Sequence, residues 1–287
     1  MYPWKDYSGR TSPLKLVVFA ALFGPALWTA LSFFLGWLQP QPFTAAIREI
    51  GLWTIRLIFI ALAITPLRGV VQWSRLILVR RMIGVAAFAY AITHLSLYTA
   101  DQMFDIAKVA SEIVSRIYLT IGFTAVLGLS ALAATSTDGM VRRLGRRWQI
   151  LHRLAYLIAL LAVVHFWMQS KLEIWEPTIM AGIYGWLMLY RLLARFLPRG
   201  HTVRGRLALR WVGGLAVAAA VLTALGEAVF FWIAYGVDPM RVLAANWSLN
   251  TGLRPAAIVL GLGLAVTAAG ALRARVALPA KRRPGFA

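Results

Sequence analysis

Cysteine is absent from this 287-residue chain, and acidic residues are scarce. Without cysteine there can be no disulfide, no thiol catalysis, no iron–sulfur cluster and no thiolate-bound metal. Aspartate and glutamate number 10 against 30 lysines and arginines, and charged residues make up 14% of the chain. Soluble domains carry roughly 25% charged residues. The composition therefore excludes an ordinary water-exposed surface.

Apolar residues dominate instead, at 60% of the chain with a mean hydropathy of +0.71. The apolar runs have the length of helices and do not alternate like the strands of a barrel, which predicts an all-α integral membrane protein. A net charge of +20 would favour nucleic acid in a soluble chain. Here the basic residues flank apolar runs, so they indicate the topology of the chain in the membrane. We therefore expect membrane lipid around the chain and no nucleic-acid partner.

We predict a helical bundle of about eight transmembrane helices. The first run is too long for the apolar core of a cleaved signal peptide, so we expect it to be a retained span. Counting alternate loops puts 23 of the 30 cationic residues on the side of the N-terminus and six on the other, with Arg56 inside the second span. The positive-inside rule then predicts that both termini are cytoplasmic. The predicted spans lie near 14–38, 47–66, 82–100, 117–136, 151–170, 177–197, 211–235 and 255–272.

Two of the four histidines, His94 and His165, lie at matched depth in the third and fifth spans. Helix rise places each about 18 to 20 Å from the basic residues that precede its span. A lone membrane histidine is ordinarily satisfied by a hydrogen bond to a neighbouring helix, but two at one level favour a shared metal. Because no cysteine or carboxylate lies at that depth, a bis-histidine haem fits better than bare zinc or copper.

His152 lies thirteen residues before His165, on what the sequence predicts to be one helix. On a straight helix it would be about 20 Å away from His165 and about 220° around the axis. Two interpretations stay open: either the helix is distorted or the two imidazoles serve different partners. The His152 imidazole could bind lipid phosphate or hold a second haem. Arg80 and Arg81 lie at a similar level on the third span, and could pair with haem propionates or with the phosphate of a flavin.

Two charges fall inside predicted spans. Arg56 in the second span needs an anionic partner, for which a haem propionate is one candidate. Glu227 in the seventh span has no obvious partner in the sequence, and we assign it no function.

Three segments carry a family resemblance: TPLRG (65–69), RRMIGVAAFAYAITHLSLY (80–98) and TSTDGMVRRLGRRWQILHRLAYL (135–157). They resemble the MsrQ (YedZ) family, the haem-binding membrane subunits of bacterial periplasmic methionine sulfoxide reductase systems. That family belongs to the ferric-reductase-like transmembrane superfamily. The resemblance covers roughly residues 45–195.

The resemblance implies that His94 and His165 ligate one b-type haem and that His152 belongs to a second haem or cofactor site. Haem b would then number one or two, with FMN as a further cofactor. Electrons would come from a cytoplasmic flavin reductase or the quinol pool. They would leave to MsrP, a periplasmic molybdopterin enzyme that repairs oxidised methionines. The chain would be the electron-transfer subunit in the bacterial inner membrane, and the substrate site would lie on its partner.

Two departures from related families stand out. NADPH oxidase relatives carry two histidines on each ligand helix, whereas here Arg80 or Arg81 stands where the second histidine of the third span would be. The region from about residue 199 onward, with two further spans, extends beyond the six-helix core. We therefore expect three domains: 1–44 with the first span, 45–198 as the haem-binding core, and 199–287 as a basic loop, two extra helices and a basic tail.

Two alternatives compete with an electron carrier. A stand-alone metalloreductase or superoxide producer would carry a nucleotide-binding domain, and the 15 residues after Leu272 contain no glycine-rich phosphate fingerprint. A non-redox transporter or assembly factor would use Arg56 and Glu227 as a polar path.

Overall fold

The computed structural model describes residues 4–5, 9–170, 173–196, 202–203, 206–248 and 252–276. Within these residues the chain is helical, apart from a pair of two-residue antiparallel strands, β1 (Thr202–Val203) and β2 (Arg206–Leu207). The α-helices are α1 (Pro13–Ala21), α2 (Gly24–Phe34), α3 (Pro42–Val70), α4 (Ile77–Asp101), α5 (Ile106–Ser115), α6 (Ile117–Ala134), α7 (Asp138–Leu144), α8 (Arg146–Leu151), α9 (Leu154–Gln169), α10 (Trp175–Phe196), α11 (Leu209–Tyr235), α12 (Pro239–Trp247) and α13 (Pro255–Val276).

Seven helical segments of the described chain are long and apolar enough to cross a membrane. The prediction of an all-helical, multi-pass membrane protein is confirmed. The sixth predicted span is formed as the 22-residue helix α10 but lies outside this set. Its tyrosines, tryptophans and terminal charges make it less apolar than the others. The seven segments are Pro13–Phe34, Pro42–Val70, Ser74–Asp101, Ile117–Ala134, Arg146–Gln169, Leu209–Tyr235 and Pro255–Val276.

Three short helices between the spans, α5, α7 and α12, were not predicted. Each is preceded by a capping residue whose side chain accepts a hydrogen bond from a backbone N–H of the first turn. The capping residues are Asp105, Thr137 and Asp238, all types that are favoured at this position. The capping residues were therefore visible in the sequence, although caps alone do not distinguish a short helix from a turn.

The chain divides into two compact units. The first comprises Met1–Ile64 and Leu76–Tyr184, and the second comprises Thr65–Arg75 and Gly185–Ala287. In the first unit α4 packs against α1 and α6, and α6 packs against α5 and α9. In the second unit α11 packs along α13, and α12 contacts both.

Small residues bring α11 and α13 together. The buried Ala216 of α11 lies against Gly263 of α13, where an added Cβ would overlap the Ala216 Cβ. Close backbone approach at small residues is a common way for membrane helices to associate, because lipid provides no hydrophobic drive between them.

Glu227, for which the sequence offered no partner, is buried in this second unit. Its carboxylate accepts a hydrogen bond from Asn246 of α12 at 2.9 Å and pairs with Arg254, directly before α13, at 3.0 Å. The charge is thus neutralised by the segment that connects α11 to α13. A buried acid without such a partner would be costly.

We expect Gly263→Leu to destabilise the α11–α13 pair, because the new side chain meets Ala216 with no room to turn aside. Overpacking of this kind costs about 1–3 kcal/mol. The matched control is Gly261→Leu on the same helix, where an added Cβ meets nothing within 4 Å. Thermal unfolding of the detergent-solubilised variants measures the difference. Equal unfolding temperatures for the two would contradict this account of the contact.

Candidate functional site

His94 of α4 is held by α3. Its Nδ1 lies 2.9 Å from the carbonyl oxygen of Ile47. A carbonyl oxygen can only accept, so Nδ1 carries the proton and donates, and Nε2 is the nitrogen left for a ligand. Gly51, one turn after Ile47, gives the ring its space, since a Cβ there would lie 2.8 Å from Nδ1.

His165 of α9 is held in the same way by α6. Its Nδ1 donates to the carbonyl oxygen of Tyr118 at 2.7 Å. Gly122 follows Tyr118 by one turn, and a Cβ there would lie 2.7 Å from Nδ1. The histidine follows its acceptor by 47 residues in both cases. Each helix pair therefore forms one half-site, consisting of a histidine, a carbonyl acceptor and a glycine.

The two half-sites face each other. The imidazole ring centroids of His94 and His165 are 6.4 Å apart and the ring planes are at 85°. Imidazole nitrogen binds a first-row metal ion at about 2 Å, so two trans nitrogens are about 4 Å apart and the ring centroids about 6 Å apart. The observed separation thus suits one metal ion between the rings.

A bare metal ion would find too few ligands here. No group of three or more His, Cys, Asp or Glu side chains suitable for a metal occurs in the described part of the chain. The donor set of two imidazoles on opposite sides fits a metal whose four remaining ligands come from a macrocycle, as in haem. The predicted juxtaposition of His94 and His165 is therefore present, and their role as iron ligands stays a prediction.

His152 and His165 lie in one helical segment, Arg146–Gln169, and this segment is distorted between them, as one of the two interpretations from the sequence allows. Helix α8 ends at Leu151 and α9 begins at Leu154. The backbone hydrogen bonds change here from four-residue to three-residue spacing, as in the bond from the N–H of Arg153 to the carbonyl of Ile150. This tighter turn interrupts the regular rotation on which the angle of about 220° depended.

His152 lies at this interruption and has contacts within the protein. Its ring stacks on Trp148 at 3.9 Å between centroids. Nδ1 lies 3.1 Å from the carbonyl oxygen of Trp148, and Nε2 lies 3.4 Å from the hydroxyl oxygen of Ser136. Arg80 is close enough to interact electrostatically with the imidazole. A second haem or a lipid phosphate at His152 stays a prediction.

Arg81 and Arg56 both have acidic partners within the protein. Arg81 pairs with Asp138, the first residue of α7, at 2.6 Å, and this hydrogen-bonded guanidinium lowers the pKa of the Asp138 carboxyl. Arg56 pairs with Glu176 of α10 at 3.3 Å, and its guanidinium lies 5.0 Å from the ring centroid of Trp53. Neither arginine needs a cofactor to balance its charge, and their predicted contacts with propionate or phosphate stay predictions.

The two glycines and the two carbonyl acceptors were missed from the sequence. A partial signal was present, because two of the three Ile-Gly dipeptides, at 50–51 and 121–122 but not at 83–84, stand at the same distance before a histidine. A glycine within an apolar helix costs about 1 kcal/mol relative to alanine unless it allows a close approach. The shared spacing indicates that a histidine ring is the group that approaches each of these two glycines.

The site thus consists of two histidines on different membrane helices, with ring centroids 6.4 Å apart and both Nδ1 atoms engaged with backbone carbonyls. Its class is that of the ferric-reductase-like membrane components. The sequence model of the family described as "Ferric reductase like transmembrane component" matches residues 50–163, which contain Gly51, His94 and Gly122 and end just before His165. No solved structure matches the chain.

Similar proteins narrow the class. Three of them are named "Protein-methionine-sulfoxide reductase heme-binding subunit MsrQ". The protein from Rhodospirillum rubrum is 42% identical over 181 residues, 62% of this chain and 87% of the relative. That from Xanthomonas campestris pv. campestris is 44% identical over 185 residues, 64% and 85% of the two chains. That from Herminiimonas arsenicoxydans is 40% identical over 182 residues, 62% and 84%. The chain belongs to the MsrQ family.

We expect Gly122→Ala to displace the His165 ring, because the new methyl group would lie 2.7 Å from Nδ1. Nitrogen-15 NMR of the histidine-labelled, ligand-free protein should show a changed Nδ1 resonance as the bond to Tyr118 weakens. The control is Gly84→Ala on α4, where an added Cβ has nothing within 4 Å. An unaltered histidine spectrum in the Gly122 variant would contradict the proposed close contact.

Proposed function

We propose that this protein is a b-type haem electron carrier. It passes electrons from a cytoplasmic flavin reductase or the quinol pool to a periplasmic molybdopterin methionine sulfoxide reductase, MsrP, for the repair of oxidised proteins. The observation that carries the proposal is the facing pair His94 and His165, with ring centroids 6.4 Å apart and both Nδ1 atoms engaged with backbone carbonyls. The haem-binding function in the name of its relatives supports the same conclusion.

Haem, when bound, supplies a one-electron redox centre within the membrane. The chain supplies the rest. The hydrogen bonds from Nδ1 fix the tautomer and the plane of each ring, and they make Nε2 a stronger ligand. His94 and His165 together would leave no open position on a bound haem iron, which would favour electron transfer over oxygen activation.

The electrostatics of the chain favour a direction. Basic residues cluster on the predicted cytoplasmic side, with Arg142, Arg143, Arg146 and Arg147 around α7 and α8. Such a surface would attract an acidic flavoprotein or a flavin phosphate. The same asymmetry underlies the proposed location in the bacterial inner membrane with cytoplasmic termini. The predicted domains, 1–44, 45–198 and 199–287, are part of this proposal.

A transporter is less well supported. The two charges it would use, Arg56 and Glu227, have ion-pair partners at 3.3 Å and 3.0 Å. A charge that is already neutralised by the protein offers little to a passing substrate. A stand-alone metalloreductase remains the alternative within redox chemistry.

We expect His94→Ala and His165→Ala each to abolish the b-type spectrum, because each removes one axial ligand. His152→Ala should retain it, since this ring has protein partners of its own. Reduced-minus-oxidised spectra, with a pyridine haemochrome assay per chain, make the measurement. Two haems in the parent and one in the His152 variant would assign a second haem to His152. A normal spectrum in both of the first two variants would rule out the assignment.

The electron-carrier function has a separate test. In proteoliposomes with a reductant sealed inside, an external molybdopterin methionine sulfoxide reductase should reoxidise the haem when methionine sulfoxide is added. The same vesicles with the His165→Ala variant provide the control, since they lack the proposed axial ligand. Failure of the external enzyme to reoxidise a fully reduced haem would argue against MsrP as the acceptor.

A further inference from the structure

Four side chains form a connected cluster beside the candidate site, which we call the rim cluster: Tyr98, Glu112, Arg116 and Tyr118. The hydroxyl of Tyr98 donates to one carboxylate oxygen of Glu112. Arg116 donates to the other oxygen at 3.2 Å and, through its second terminal nitrogen, to the hydroxyl oxygen of Tyr118 at 3.3 Å. One carboxylate thus connects residues from α4, from α5 and from the start of α6.

The junction between α5 and α6 holds Arg116 of the rim cluster in place. Arg116 is the single residue between α5 and α6, and its N–H donates to the carbonyl of Glu112 at 3.0 Å. The carboxylate side chain of Glu112 is 19% exposed, against 51% for Arg116. Partial burial strengthens the hydrogen bonds of the acid, and the arginine fork can hold two partners at once.

The rim cluster reaches both half-sites. The backbone carbonyl of Tyr118 accepts the hydrogen bond from His165, and the two rings lie alongside each other at 29° with centroids 6.3 Å apart. Tyr98 lies one turn after His94 on α4. Glu112 and Arg116 are therefore linked, through the Tyr118 side chain, to the residue whose carbonyl holds the His165 ring.

The His94 half-site differs in this respect. Its acceptor residue is Ile47, whose aliphatic side chain cannot be held by a hydrogen bond. Tyr118, in contrast, has a side-chain hydroxyl that accepts a hydrogen bond from Arg116. The two half-sites are thus chemically unequal, although the hydrogen bond from Nδ1 to a backbone carbonyl is common to both.

We propose that Glu112 and Arg116 are positioning residues that hold Tyr118 and thereby set the strength of the hydrogen bond from His165. This inference rests on the proposed haem function. A strong Nδ1 hydrogen bond makes the imidazole a better electron donor, which stabilises ferric iron and lowers the midpoint potential. Loosening the rim cluster then raises the potential.

The decisive variant is Arg116→Gln, for which positioning and plain electrostatics predict opposite signs. Loss of one positive charge near the iron would by itself stabilise the ferric state and lower the potential. Loss of the contacts to Glu112 and Tyr118 weakens the His165 bond and raises the potential. We expect a rise, measured by spectroelectrochemical titration, together with altered g values in the low-spin ferric EPR spectrum.

Two further variants complete the test. Tyr118→Phe keeps the charge, the ring and the backbone carbonyl but loses the contact with Arg116, so we expect a smaller rise. Lys108→Gln removes a positive charge from the exposed face of α5, outside the rim cluster, and should leave the potential and the g values unchanged. If the Arg116 variant fails to fold, Tyr118→Phe carries the test, because it removes only one hydroxyl group.

The outcomes separate the two proposals. A parent protein that binds no haem contradicts the proposed function itself. A parent with a normal haem, in which the Arg116 and Tyr118 variants keep its potential or lower it, overturns the role of the rim cluster alone. A rise of equal size in Lys108→Gln would also overturn it, since the effect would then be unspecific.

Discussion

The hydrogen bond from an imidazole Nδ1 to a backbone carbonyl of a neighbouring helix is the interaction on which the site depends. In hydrocarbon a histidine must satisfy both ring nitrogens or bear a large cost. A helical carbonyl is available only to a side chain that comes very close to the backbone, and this requires glycine at the point of approach. Gly51 and Gly122 provide that point. Once Nδ1 is engaged, the ring can offer only Nε2, so the helix contact also fixes the direction in which a ligand can bind.

The same solution occurs twice along the chain. In each half-site the first helix contributes an acceptor and a glycine, the second contributes the histidine, and the acceptor precedes the histidine by 47 residues. A flat ligand with two equivalent faces needs two such half-sites that oppose each other. The repetition therefore matches the symmetry of the ligand that we propose. The rim cluster breaks this equivalence, since it includes Tyr118, the acceptor residue of the His165 half-site, but not Ile47, the acceptor residue of the His94 half-site.

The features that could be predicted from the sequence are those that depend on local quantities and not on tertiary contacts. The rise of a helix and the position of flanking charges are local, so the spans and the common depth of His94 and His165 followed from counting residues. The break at His152 was not predictable in this way, because no proline or glycine marks the place where the backbone hydrogen bonds change to three-residue spacing. The short helices α5, α7 and α12 are not long apolar runs, so hydropathy does not reveal them. The ion-pair partners of Arg56 and Glu227 come from distant parts of the sequence, so residue counting does not reveal them either.

Charged residues in the spans show why composition alone overstates function. From the sequence, burying the charges of Arg56 and Glu227 in a membrane costs free energy, and such a cost is often explained by a function. In the structure each is matched by an opposite charge, Glu176 and Arg254, so stability accounts for them without a ligand. His94 and His165 differ because their protein contacts use only one of two ring nitrogens. A residue whose bonding capacity is filled by its neighbours is explained by folding. Two imidazoles with centroids 6.4 Å apart, each hydrogen-bonded through Nδ1 alone among the contacts described, are instead what supports the proposal of a bound cofactor.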